Sequence, residues 1–141
     1  MTVHVRFAES FPLRQCEWLL ATVMSGCGMM ALGYPDQFAR SQTLSALLRY
    51  ADQPVWAWAM TGVGLIGWFA LARNGGWKRS PAVRAACAAA RGVIWLQLFM
   101  ALAKVDQPTW GLIFFPAFMT MEFINAYRAA GDAKAVSART A

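Results

Sequence analysis

The fold is decided between residues 85 and 126, which read AACAAARGVIWLQLFMALA (85–103), KVDQP (104–108) and TWGLIFFPAFMTMEFINA (109–126). Two apolar runs flank a short polar turn. One charge interrupts each run, Arg91 in the first and Glu122 in the second. A bilayer-crossing helix needs about 20 mostly apolar residues, and a charge inside one is rare and costly. The stretch therefore reads as a membrane hairpin with one charged residue in each arm. Arg91 lies 13 residues before Lys104, and Glu122 lies 13 residues after Thr109. At 1.5 Å per residue both sit roughly 20 Å from the turn, at matching depth. An ion pair between Arg91 and Glu122 would neutralise two groups that lipid does not tolerate singly. Asn125, one turn beyond Glu122, can add a hydrogen bond. Two other readings stay open. Arg91 can reach the inner headgroups along its own stem, or the charges can form a proton or ion site, for which Glu17 and Gln97 are the further polar groups.

Working outward, two more apolar runs precede this pair, Trp18 to Tyr34 and Val55 to Ala72. The expected architecture is all-α and polytopic. Four transmembrane helices, at about 13–34, 54–73, 82–104 and 108–127, form two hairpins in one membrane domain covering 1–141. Composition agrees: of 141 residues, 58% are hydrophobic and only 14% are charged, against about 25% charged in a soluble domain. Seven Trp and eight Met suit lipid contact and interfacial anchoring. Pro116 should kink the fourth helix by removing a backbone hydrogen bond.

The net charge of +6 follows topology. With a cytoplasmic N-terminus, Arg6, Arg14, Arg73, Lys78, Arg79, Arg84, Arg91, Arg128, Lys134 and Arg139 fall on or near the inner side. Only Arg40, Arg49 and Lys104 fall opposite. This positive-inside bias places both termini in the cytoplasm, with the chain in a bacterial inner membrane. The cations form no stripe with interleaved aromatics, so nucleic acid is not an expected partner. No small-residue cleavage site follows the first apolar run, which reads as a retained signal anchor.

Small residues mark where the first two helices should meet. Ala21, Ser25 and Gly28 in the first, and Ala57, Thr61 and Gly64 in the second, allow close backbone approach where lipid supplies no hydrophobic force between helices. Between them, in residues 38–50, Phe38, Leu44, Leu47 and Leu48 can face one way and Gln42, Ser45 and Arg49 another. That is an amphipathic helix expected in the outer interface. The inner loop carries Asn74-Gly75-Gly76, a turn signal. Trp77, Lys78, Arg79 and Arg84 follow, expected among the lipid headgroups, with Ser80-Pro81 as a helix start.

No chemistry-bearing motif emerges. His4 is the only histidine, and Cys16, Cys27 and Cys87 have no metal-ligand spacing, so no metal or other cofactor is expected. Gly75-Gly76 with Lys78 lacks the spacing and hydroxyl residue of a phosphate loop. There is no nucleophile with a base nearby, and an enzyme is not expected.

The stretch from Asn74 to Arg84, with Trp95, Gln97 and the terminal run Ile124 to Ala133, resembles small multi-span membrane proteins encoded by tailed phages and prophages. The resemblance covers the second half of the chain, and the first half by architecture alone. It implies a phage setting, and holin-like annotation in that group follows from size and span number, so no holin residue is carried over. The leading job on this reading is holin-like permeabilisation by homo-oligomers, assembled through the small-residue faces. The alternative is a non-lytic accessory or virion-associated role that binds a phage or host protein through the basic loop or the amphipathic helix. A further alternative is a small transporter or channel subunit. The lipid bilayer is the partner in all three.

Overall fold

A computed structural model describes the backbone of residues 3–76, 81–105 and 109–138, and the side chains of 14–73, 81–105 and 109–138 apart from 136. Among the described residues the structure is helices joined by short turns, with no strand. Helix α1 is Val3–Gly33, α2 is Gln37–Arg40, a 3₁₀ helix covers Leu44–Arg49, α3 is Gln53–Gly76, α4 is Pro81–Leu102 and α5 is Gly111–Ser137. Among the described residues three stretches are long and apolar enough to cross a membrane, Arg14–Gly33, Gln53–Arg73 and Pro81–Leu102. The described part of the expected fourth span, 108–127, falls in α5 from Gly111 onward. That helix is long enough at 27 residues, but Pro116, Glu122 and Asn125 dilute its apolar run, and Arg128, Asp132 and Lys134 follow at once.

Helices α1 and α3 pack along each other, as do α4 and α5, and the two pairs meet mainly through α3 and α4. Both pairings are antiparallel. In the first, Gly28 abuts Ala57 and Thr61, and Gly64 abuts Ala21 and Ser25. A Cβ on Gly28 would run into the backbone nitrogen of Thr61, and one on Gly64 would lie 2.6 Å from the backbone nitrogen of Ser25. Glycine is required at both places because backbone cannot give way. In the second pairing Gly92 meets Phe123, Trp95 meets Phe118 and Phe115, and Leu102 meets Gly111.

The connection between α1 and α3 differs from the single amphipathic helix expected over 38–50. It breaks into α2 and the 3₁₀ helix because Ser41 is extended (φ −93°, ψ 122°). The Ser41 hydroxyl accepts from the Leu44 N–H at 3.2 Å, a local bond that competes with helix continuation. Phe38 and Leu47 are buried at 2% and 1% exposure, so the segment folds down as a cap on the bundle. Gln53 clamps it. Its Nε2 donates to the carbonyls of Ala31 (2.7 Å) and Tyr34 (2.8 Å), and its Oε1 accepts from Phe38 N–H (2.8 Å). The Trp56 indole donates to the Leu47 carbonyl at 3.1 Å. The turn into α2 uses Asp36 in the left-handed region (φ 64°), which Asp tolerates better than most residues.

The interior divides lengthwise. Toward the capped end it is apolar, built from Met24, Phe38, Leu47, Met60, Trp95 and Leu98 with their neighbours. Toward the opposite end it is charged.

Candidate functional site

Helix α4 carries the charged interior. Arg84, Cys87, Arg91 and Trp95 are three or four residues apart, so they share one helix face, and all four are buried. Arg91 is 2% exposed and Glu122, on α5, is fully buried. The two side chains meet as a fork: Arg91 Nη2 donates to Glu122 Oε2 at 2.9 Å, and Arg91 Nε donates to Glu122 Oε1. A bidentate guanidinium–carboxylate pair fixes orientation as well as charge. Asn125 lies one turn along, beside Glu122.

Two turns before Arg91, Arg84 makes a second fork, to α1. Its Nε donates to Glu17 Oε2 at 3.0 Å and its Nη2 to Glu17 Oε1 at 2.5 Å. The remaining nitrogen, Nη1, donates to Asp132 Oδ2 on α5 at 3.3 Å. Arg84 and Glu17 are each 6% exposed, whereas the Asp132 side chain is 59% exposed. One arginine thus ties three helices together.

This corrects the expected placement of Arg84 among the lipid headgroups. A guanidinium at the first turn of α4 is within reach of two carboxylates inside the protein, and α4's face turns it inward with Arg91. Trp77, Lys78 and Arg79, expected at the headgroups with it, lie outside the described residues. The other expected residues are placed as follows. Arg91 and Glu122 are in direct contact. Ala21, Ser25, Gly28, Ala57, Thr61 and Gly64 all lie in the α1–α3 contact, each buried. Gln97 is half-buried, away from the paired charges. The side chain of His4 is outside the described set.

Helix α3 joins the charged centre through Gly67. Arg91 Nη1 lies where a side chain at position 67 would begin, and the Cβ of Ala21 is 3.6 Å from the same point. All three guanidinium nitrogens of Arg91 therefore face a neighbouring helix, Nε and Nη2 against Glu122 and Nη1 against α3, and all four long helices touch the cluster: α1 through Glu17 and Ala21, α3 through Gly67, α4 through its arginines, α5 through Glu122 and Asp132. The Glu17–Arg84–Asp132 group is what sequence reasoning misses. The available signal is the seven-residue spacing of Arg84 and Arg91, which sets both on one face of α4.

Chemically the arrangement neutralises and fastens. Both oxygens of each glutamate accept from a guanidinium, which leaves neither poised as a base. Cys87 lies on the same face between the arginines and is a free thiol, as are Cys16 and Cys27. Among the described residues no group of histidine, cysteine and acidic side chains could hold a metal ion. No protein-family model matches the chain, and no curated protein or solved structure is significantly similar to it.

Proposed function

We propose that this chain is a phage-type integral protein of the bacterial inner membrane, that all four long helices cross the bilayer with both termini inside, and that it serves as a non-lytic accessory membrane protein. The observation that carries the membrane reading is an inside-out distribution. Leu19, Trp58, Phe69, Ile113 and Phe114 are all more than half exposed, while Glu17, Arg84, Arg91 and Glu122 are buried. A soluble protein does the reverse. Lipid makes the exposed apolar surface favourable and forces charges to pair in the interior.

Between the accessory and holin-like jobs, packing favours the first. The small-residue faces that would join copies into a pore are occupied within a single chain, where Gly28 and Gly64 leave no space for another helix. The charged interior supports the same choice, because each buried glutamate is saturated by its arginine partner and offers no open site for a passing ion.

Induced expression in bacteria with a co-expressed endolysin tests this. The accessory reading predicts steady respiration and an intact membrane potential. Abrupt collapse of the potential followed by lysis would establish the holin-like job instead.

A further inference from the structure

Helix α5 is the exception among the long helices, since it holds no stretch apolar enough to qualify alone as a span. It carries Pro116, Glu122 and Asn125 in what must be its bilayer segment. Glu122 is short and fully buried, so it cannot extend to the headgroups as a lysine or arginine does. Its cation sits on α4, which does qualify as a span. Arg91 meets Glu122 with a two-pronged contact, and Arg84, seven residues earlier, holds Asp132 ten residues later on α5. The two contacts fix α5 in one register along α4.

We propose that α5 is a dependent span: it enters the bilayer only as the partner of α4, with Arg91 as the counter-charge that admits Glu122. Helix α4 crosses first on its own apolar content. Helix α5 then inserts against it, and the long Arg91 side chain can wait near the headgroups until Glu122 arrives. Without Arg91, α5 stays on the side of the Lys104–Val105 turn and the C-terminus remains outside.

This rests on the four-span reading, and one experiment separates the two. Green fluorescent protein and alkaline phosphatase are fused in turn to the C-terminus of the full chain, the first fluorescing only inside and the second active only outside. The unaltered chain should fluoresce and lack phosphatase activity. Phosphatase activity from the unaltered chain would overturn the four-span reading itself. Arg91→Leu should raise the phosphatase-to-fluorescence ratio at least tenfold. Arg91→Leu combined with Glu122→Leu should restore the original ratio, although it lacks the same inner-side positive charge. An unchanged ratio in Arg91→Leu, or no restoration in the double variant, would overturn the proposal. Where a variant is degraded in cells, synthesis into inner-membrane vesicles with protease protection of the C-terminus reads the same comparison.

Discussion

Gly67 on α3 lies directly against the guanidinium of Arg91 on α4, and a methyl group at position 67 would clash with Arg91 Nη1. The absence of a side chain at one residue thus lets α3 close over an ion pair that belongs to α4 and α5. Arg91 cannot step aside without breaking its fork to Glu122. Gly67→Ala should therefore destabilise the bundle by about 1–3 kcal/mol, the usual range for overpacking. Gly62→Ala is the control. Nothing lies within 4 Å of a Cβ there, and helix propensity alone favours alanine by up to about 1 kcal/mol. Thermal unfolding of both variants in detergent checks the contrast.

The Arg84 group should show a graded response. Glu17 is buried and shares two hydrogen bonds with Arg84, whereas Asp132 is mostly exposed and shares one. Glu17→Gln should cost on the order of 2–4 kcal/mol because it removes the buried counter-charge of a buried guanidinium and leaves only the exposed Asp132. Asp132→Asn should cost less than about 1 kcal/mol, as exposed pairs do. Equal losses of unfolding temperature for the two variants would contradict the placement of Arg84.

Close approach of α1 and α3 predicts a steric series. At Gly28 the obstacle is the backbone of Thr61 and Ala57, and at Gly64 it is the backbone of Ser25 and Ala21. Gly28→Ala and Gly64→Ala should each lower the unfolding temperature, and Gly26→Ala, whose Cβ meets nothing within 4 Å, should leave it unchanged or raised. The measurement is again thermal unfolding, with membrane accumulation as a second readout.

The cap should loosen locally when its clamp is removed. Gln53→Ala strips the side-chain partner from the Phe38 N–H and the Ala31 carbonyl, while the Tyr34 carbonyl keeps its bond from the Gln37 N–H. Each unmet buried polar group costs about 1–3 kcal/mol. Hydrogen exchange should accelerate across residues 37–50 while α4 and α5 keep their protection. Acceleration spread evenly over all helices would show that Gln53 supports the whole bundle rather than the cap.

Much of this architecture is legible in the sequence where it depends on local spacing. The six small residues of the α1–α3 contact sit at helical spacings in two apolar runs. Arg91 and Glu122 can be matched in depth by counting from the turn at Lys104, because a helix advances a fixed distance per residue. What is not legible depends on long-range placement. Arg84 follows Lys78 and Arg79 and reads as one of a basic group at the membrane surface. Its partners Glu17 and Asp132 are 67 and 48 residues away, and only the assembled bundle brings them within reach. The cap is obscured for a different reason. The pattern of Phe38, Leu44, Leu47 and Leu48 has helical periodicity, but the bond between Ser41 and Leu44 breaks the helix and burial of Phe38 and Leu47 completes the turn inward. Gly67 sits among several glycines in α3, and only its position under Arg91 distinguishes it.

The central claim is that Arg91 and Glu122 fasten the bundle as a pair. A double-mutant cycle tests it most directly, using unfolding free energies of the unaltered chain, Arg91→Ala, Glu122→Ala and the combined variant in the same bilayer mimetic. Removing one partner leaves an uncompensated buried charge and should cost roughly 3–5 kcal/mol, whereas removing both should cost markedly less than the two single losses combined. The account predicts a favourable coupling larger than the Arg91→Ala loss itself, about 3 kcal/mol or more, so that the combined variant is milder than Glu122→Ala alone. Additive losses, with the combined variant the least stable of the four, would contradict it.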